Sequence, residues 1–253
     1  MNILFTICGR AGSKGFKNKN LKELNAVPLV YYTLGAIKGY IEKHPENTVY
    51  VAVNSDSQTL VDLVVRQKKI PIIVVGRKDE LAGDVVPKVE VIKDTYLSCR
   101  DKNPHVVIDL DITSPMRTVE DIENIIDEYN QGIFDLVFSV VEARRSPYFN
   151  MVERKQDGFF RKICASNYTA RQQAPKSYEM NASIYAYKPD FLLGKIDKTI
   201  LDYKCGISVM TDYLILDIDS EEDFEMMRFL HEYYCKEFPG IKKVYDEAKE
   251  MER

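Results

Sequence analysis

Tryptophan is absent and histidine nearly so, with 0 and 3 residues among 253. His44, His105 and His231 are far apart in the chain and do not cluster, so each is read as surface or packing rather than as a ligand. The 5 cysteines (Cys8, Cys99, Cys164, Cys205 and Cys235) are odd in number and never spaced CxxC. A disulfide framework and a structural zinc site are both disfavoured. No apolar run reaches the ~18 residues of a membrane span. The stretch Met1 to Ile7 is too short, and lacks the charged leader, to be a signal peptide. Strong charge of one sign is also missing: 35 basic against 39 acidic residues leave a net charge of -4, which argues against wholesale nucleic-acid coating. The expectation is a soluble protein of a reducing, cytoplasmic compartment, with neither nucleic acid nor membrane as a partner.

What is present is ordinary globular composition, 45% apolar and 29% charged, enough for a real core. Near-continuous apolar runs at Asn2 to Ile7, Thr48 to Val53, Ile70 to Val75, His105 to Leu110 and Leu136 to Val141 read as strands covered on both faces. Amphipathic stretches lie between them, at about Pro28 to Lys38, Ser57 to Lys68, Pro87 to Cys99 and Val119 to Tyr129. Ser55 and Asp56 precede the second, Pro87 suits a first helical position, and Thr118 with Asp121 spells a capping box. This alternation predicts an α/β fold, a doubly wound and mostly parallel sheet, forming one domain over 1–253. The pattern breaks after Val141. The stretch from Glu142 to Gln173 is polar and lacks a helical period, which predicts an inserted β-rich arm over 142–180 before a strand at Ala182 to Tyr187. A last strand is expected at Tyr213 to Ile218, then a helix from about Glu221 to Phe238 and a charged helical tail.

The most informative segment follows the first strand, where ligands of such sheets bind. From Gly9 to Lys22 there are three glycines (9, 12 and 15) and five cations (Arg10, Lys14, Lys17, Lys19 and Lys22), with no acid. Glycines allow tight turns and expose backbone N–H groups, so in a chain of net negative charge this is a local anion trap, suited to several phosphates. Its spacing is neither a dinucleotide GxGxxG nor a P-loop closed by GK[ST]. The plain alternative is a solvated basic turn. Asp217 and Asp219 alternate on the expected last strand, which would put both carboxylates on one face. Such a pair suits Mg²⁺, or else one acid complements the start of the following helix. Asp109 and Asp111 alternate in the same way at the end of an earlier strand.

The loop, Gly9-Arg10-Ala11-Gly12-Ser13-Lys14-Gly15-Phe16-Lys17-Asn18-Lys19-Asn20, resembles the signature ARxGSKGxxxKN of the acylneuraminate cytidylyltransferases. Further motifs follow in that family's order. Arg77 to Asp84 resembles RPxELAxD, Thr113 to Arg117 resembles TSPLR, Arg171-Gln172-Gln173 with Asn181, Ile184 and Tyr185 resembles RQQ…NxxIY, and Asp217 to Asp219 resembles the closing DID. The resemblance covers about residues 1 to 230. It implies a nucleotide-diphospho-sugar transferase-like fold and a Mg²⁺-dependent transfer of CMP from CTP to a nine-carbon 2-keto sugar acid, N-acetylneuraminic, legionaminic or pseudaminic. It assigns Arg10 and Lys19 to the triphosphate, with Gly9, Gly12, Ser13, Lys14 and Asn20 in the same cradle and Arg77 and Asp84 near the nucleotide. Asp217 and Asp219 would bind the metal and, with Arg10 and Lys19, carry catalysis. Arg171 would take the sugar carboxylate, and Asp111, Ser114, Gln173, Asn181 and Tyr185 would line the sugar pocket.

The departures lie on the sugar side. Asp111 stands where many relatives have glutamine, with a sugar role, a metal role or a structural cap all open; Ile200 and Leu201 fall near a Phe pair of sialic-acid enzymes, and Phe149 stands where lysine is common. These lean the expectation away from plain N-acetylneuraminate. The family's arm builds a dimer, so 142–180 implies a homodimer. The rivals are a CMP-Kdo-type synthetase, whose ASTRLPGK-like loop is not matched by Ser13-Lys14-Gly15, a sugar-1-phosphate nucleotidylyltransferase with its GxGTRL loop, and a non-catalytic nucleotide-binding module.

Overall fold

A computed structural model describes residues 1–12, 16–83, 85–214 and 217–252. In chain order the strands are β1 (Asn2–Cys8), β2 (Glu23–Leu24), β3 (Val27–Pro28), β4 (Thr48–Ser55), β5 (Ile73–Gly76), β6 (Val106–Leu110), β7 (Leu136–Glu142), β8 (Val152–Arg154), β9 (Phe160–Lys162), β10 (Tyr178–Tyr187) and β11 (Cys205–Val209). The helices are α1 (Leu29–Lys43), α2 (Gln58–Arg66), α3 (Lys88–Ser98), α4 (Val119–Tyr129), α5 (Pro189–Leu193), α6 (Glu221–Glu237) and α7 (Pro239–Glu250). Seven strands form one sheet in the order β11-β7-β10-β6-β1-β4-β5. Every pairing in it is parallel except those of β10, which runs antiparallel to both β6 and β7.

The apolar runs become central strands because both faces are covered. Ile3, Phe5 and Ile7 of β1 pack on one side with α1, α2, α4, α6 and α7, while Leu4 turns to the other side with Val89, Ile92 and Tyr96 of α3. Period-two alternation thus divides one strand between two cores. α1 lies so close to α7 that a Cβ on Gly35 would sit 2.9 Å from both Ala248 N and Val244 O. The helix starts follow local chemistry. Thr118 and Asp121 form the expected capping box at α4, and Ser220 with Asp223 forms another at α6. Pro28 and Pro87 are the caps before α1 and α3 rather than first helical residues.

Two expectations are corrected. The strand expected from Ile70 begins only at Ile73, because the Gln67 side chain ties up Ile70 N at 3.0 Å and Ile70 O at 2.9 Å in a local turn. The last strand is Cys205–Val209, paired parallel to β7, rather than Tyr213 to Ile218. Residues 213, 214, 217 and 218 carry no strand, Leu214 has a left-handed φ of 76°, and residues 215 and 216 lie outside the described set. Tyr213 instead packs its ring on Tyr234 and Phe238. In the arm, β8 and β9 make a separate two-stranded hairpin. Among the described residues, no helix is long and apolar enough to cross a membrane.

Candidate active site

Parallel strands bring their carboxyl ends to one edge, and β1, β4, β5 and β6 deliver Cys8, Ser55, Gly76 and Leu110 there. The chain leaving β1 is held against this edge. Gly9 N–H donates to Asn54 O at 3.2 Å, and a Cβ on Gly9 would run into Leu60 Cδ2 and stand 2.9 Å from Ile112 Cδ1, so a side chain there would have to displace both ends. Asp56, expected at the start of α2, instead accepts from Ala11 N–H at 2.7 Å, while Ser57 caps that helix. Gly12 follows with a φ of 76°. Ser13 and Lys14 lie outside the described residues, as does Asp84.

Beyond the loop, Asn18 takes a left-handed φ of 57° and starts a single turn that presents Lys19 and Asn20. Asn20 Nδ2 donates back to Arg10 O at 3.2 Å, fixing the two ends of the loop together. Lys19 Nζ donates to Ile218 O and to Asp219 Oδ1, both at 3.0 Å, which ties the loop to the acidic segment before α6. Arg77 is anchored by Nε to Asn54 Oδ1 at 3.0 Å and by Nη2 to Asn54 O at 3.1 Å.

These groups surround a cavity of about 550 Å³. Arg10, Lys19, Asn20 and Arg77 line it together with Asp111, Asp217 and Asp219, all of them anticipated from sequence. Asp219 is largely exposed, whereas burial, reinforced by the nearby Asp111 charge, pushes the Asp217 carboxyl above its ordinary pKa. The Cys8 thiol is also pushed up, by burial and then by Asp109, so it stays protonated at neutral pH.

One lining residue was missed. Lys88, the first residue of α3, stands with Nζ 2.7 Å from Asp109 Oδ2 and 2.5 Å from Asp111 Oδ2. Burial opposes its charge, but the two carboxylates outweigh that and hold its pKa well above the usual lysine value. Burial would likewise raise the Asp111 carboxyl, and Lys88 reverses it to well below the usual range. A cation in the first turn of a helix opposes the macrodipole, and that was the one signal in the sequence that could have singled it out.

The expected sugar residues are dispersed. Tyr185 lines a second cavity of about 440 Å³ that shares Lys88 with the first and also contains Tyr187, Ile196 and Ile200. Ser114 and Asn181 meet at a crevice of only about 10 Å³, too small for a sugar ring. Ser114 O accepts from the buried Arg117 at 2.6 Å, and Asn181 Oδ1 accepts from Ser139 at 2.6 Å. Arg171 and Gln173 are in the arm. Arg171 donates to Ala143 O at 3.0 Å beside a separate cleft, and Gln173 Oε1 accepts from Thr169 N–H at 3.0 Å.

Comparison with known proteins fits this geometry. Residues 4–237 match the family described as cytidylyltransferase. The chain is 34% identical over 235 residues to "Post-translational flagellin modification protein B" of Campylobacter coli, covering 90% of this chain and 94% of that one. It is 35% identical over 232 residues to "CMP-N,N'-diacetyllegionaminic acid synthase" of Campylobacter jejuni, covering 90% and 94%. An N-acylneuraminate cytidylyltransferase of Streptococcus agalactiae is 26% identical, covering 88% of this chain and 52% of that one. Among solved structures, a CMP:2-keto-3-deoxy-manno-octonic acid synthetase complexed with CTP superposes with a TM-score of 0.63 at 15% identity, covering 92% and 99%, a likeness of fold.

Proposed function

The chain belongs to the cytidylyltransferase family, and from that premise we propose that it joins CTP to a nine-carbon 2-keto sugar acid, giving a CMP-sugar and pyrophosphate. Legionaminic-type acids are the favoured acceptors, because the relative that matches at 35% identity is named for one. The observation that carries the reading is the cavity itself: Arg10 and Lys19 of the glycine-rich loop, Arg77 after β5 and Lys88 at the start of α3 converge on it, facing Asp111, Asp217 and Asp219. Such transfer needs positioning and charge neutralisation more than covalent help. Arg10 and Lys19 hold the triphosphate and take up charge as pyrophosphate leaves. Arg77, locked on Asn54, orients the nucleotide.

The donor chemistry fits Mg²⁺. Among the described residues no cluster of three or more His, Cys, Asp and Glu is arranged to hold a metal. Mg²⁺, however, typically takes only one or two carboxylates and completes its shell with water and phosphate. Asp217 and Asp219 offer hard oxygens to the cavity, which is what a Mg²⁺ ion prefers. These two residues would hold the ion, which when bound neutralises phosphate oxygens. Asp111 is already engaged by Lys88 and Thr113.

The reading extends to a homodimer built through the arm. Phe159 and Phe160 are 69% and 67% exposed at the two-stranded hairpin of β8 and β9. The deciding experiment measures pyrophosphate release from CTP and Mg²⁺ with a panel of nine-carbon acids and Kdo. Release with a nine-carbon acid, and none with GTP or ATP, is expected. Release with Kdo alone would transfer the protein to the eight-carbon class, and CTP binding without release on any acid would favour a regulatory module.

A further inference from the structure

Lys88 is set among buried charges whose arrangement serves one atom. Asp109 is fully buried, with Oδ1 accepting from Thr6 Oγ1 at 2.8 Å and Oδ2 facing Lys88. Asp111 Oδ1 accepts from Thr113 N–H at 3.2 Å and Thr113 Oγ1 at 3.0 Å, and its Oδ2 faces Lys88. Three of the four carboxylate oxygens thus accept hydrogen bonds from within the chain, and Asp109 Oδ2, which accepts none, stands 2.7 Å from the Lys88 ammonium as an ion pair. Behind them, the fully buried Arg117 donates to the Asp111 carbonyl, so two cations and two anions balance. Of the three ammonium donors, two face the carboxylates, and among the described residues the third meets no protein acceptor.

A buried ion cluster is a poor device for stability, since well-packed apolar groups do as well or better. Placing lysine at the first position of α3 works against the helix dipole too. Both costs are explained if the cluster fixes an ammonium at a set point. That point is on the wall shared by the 550 Å³ and 440 Å³ cavities, where a nucleotide in one and an acceptor in the other would meet.

We propose that Lys88 is a substrate-binding residue whose remaining N–H donor takes an anionic oxygen of the reacting pair at the junction of the two cavities, with Asp109 and Asp111 as its positioning residues. The chemistry is that of an oxyanion, which either the α-phosphate of CTP or the carboxylate of the sugar acid supplies. The inference rests on the proposed cytidylyl transfer and deepens it.

The test uses the full-length protein with Lys88→Met, and with the triple variant Lys88→Met, Asp109→Asn, Asp111→Asn, which removes the orphaned charges if the single variant misfolds. CTP binding is measured by titration calorimetry without acceptor, and kcat and KM by pyrophosphate release. Loss of one charge-assisted hydrogen bond is expected to cost about 10- to 100-fold in one of these. A raised KM for the sugar acid with CTP affinity intact identifies the carboxylate; weakened CTP binding identifies the phosphate. Lys88→Arg, which keeps charge but shifts the donors, is expected to restore part of the loss. A folded variant whose CTP affinity, sugar KM and kcat all stay within about twofold of wild type, whatever its melting temperature, overturns the role of Lys88. A silent wild type across the panel overturns the reaction instead.

Discussion

Lys19 ties the glycine-rich loop to the segment before α6 by an ion pair with Asp219 and a hydrogen bond to Ile218 O, both at 3.0 Å. Because the Asp219 side chain is 77% exposed, the pair adds little to folding, within about 0.5 kcal/mol. Lys19→Ala and Asp219→Asn are therefore expected to melt near the wild-type temperature while kcat/KM for pyrophosphate release falls about 100-fold or more. Near-normal rates in both would remove the proposed site. Gly9→Ala should behave oppositely: its Cβ meets Leu60 and Ile112, so thermal unfolding should show a loss of about 1–3 kcal/mol. Residues such as Arg10, Lys19 and Asn20 were legible because glycines and cations share one short stretch. Lys88 was not, since its meaning depends on Asp109 and Asp111, which reach it only when β6 and α3 pack at one sheet edge.

Elements were legible where their ends carry side-chain signals. The Thr118 capping box placed α4 at Val119–Tyr129 without error, and Thr118→Ala is expected to cost about 1 kcal/mol in chemical denaturation. By contrast, β10 reads like any other apolar strand, and nothing local declares that it runs antiparallel between β6 and β7. At Tyr213 the sequence has strand character, yet its ring is recruited by α6. The end of α1 offers a pH test. The protonated His44 ring donates to Glu123 at 2.5 Å and to Glu46 at 3.1 Å, and chiefly Glu123 raises its pKa. A raised folded pKa makes this contribution complete below the unfolded value near 6.5 and lost as pH rises through the folded one. His44→Gln should thus cost about 0.5 kcal/mol near pH 6 and almost nothing at pH 9, read from denaturation midpoints.

At the scale of the whole molecule, acid works in the reverse sense through His231. The ring is buried where α1, α6 and α7 meet, 5.1 Å from Tyr32 and 5.0 Å from Tyr245, and burial pushes its pKa down to about 4. The unfolded chain takes a proton near pH 6.5 while the folded one waits, so stability is full above that value and falls toward pH 4, by roughly 2–3 kcal/mol. His231→Gln should flatten that slope, and an unchanged slope would assign the acid loss elsewhere. The arm raises the remaining question of assembly. An isolated two-stranded hairpin is marginal in water, yet Val152 of β8, Phe160 of β9 and Phe159 just before it are 58%, 67% and 69% exposed. A second copy would bury that surface and brace the arm that carries Arg171 and Gln173, which in the single chain lie apart from the 550 Å³ cavity. The double change Phe159→Asp, Phe160→Asp alters only exposed positions, so the monomer fold should survive it. Light scattering should show a dimer for the wild type and half that mass for the variant. If the arm also completes the acceptor pocket, the KM for the sugar acid should rise while CTP binding holds; a wild-type monomer would leave Arg171 without a route to the substrate.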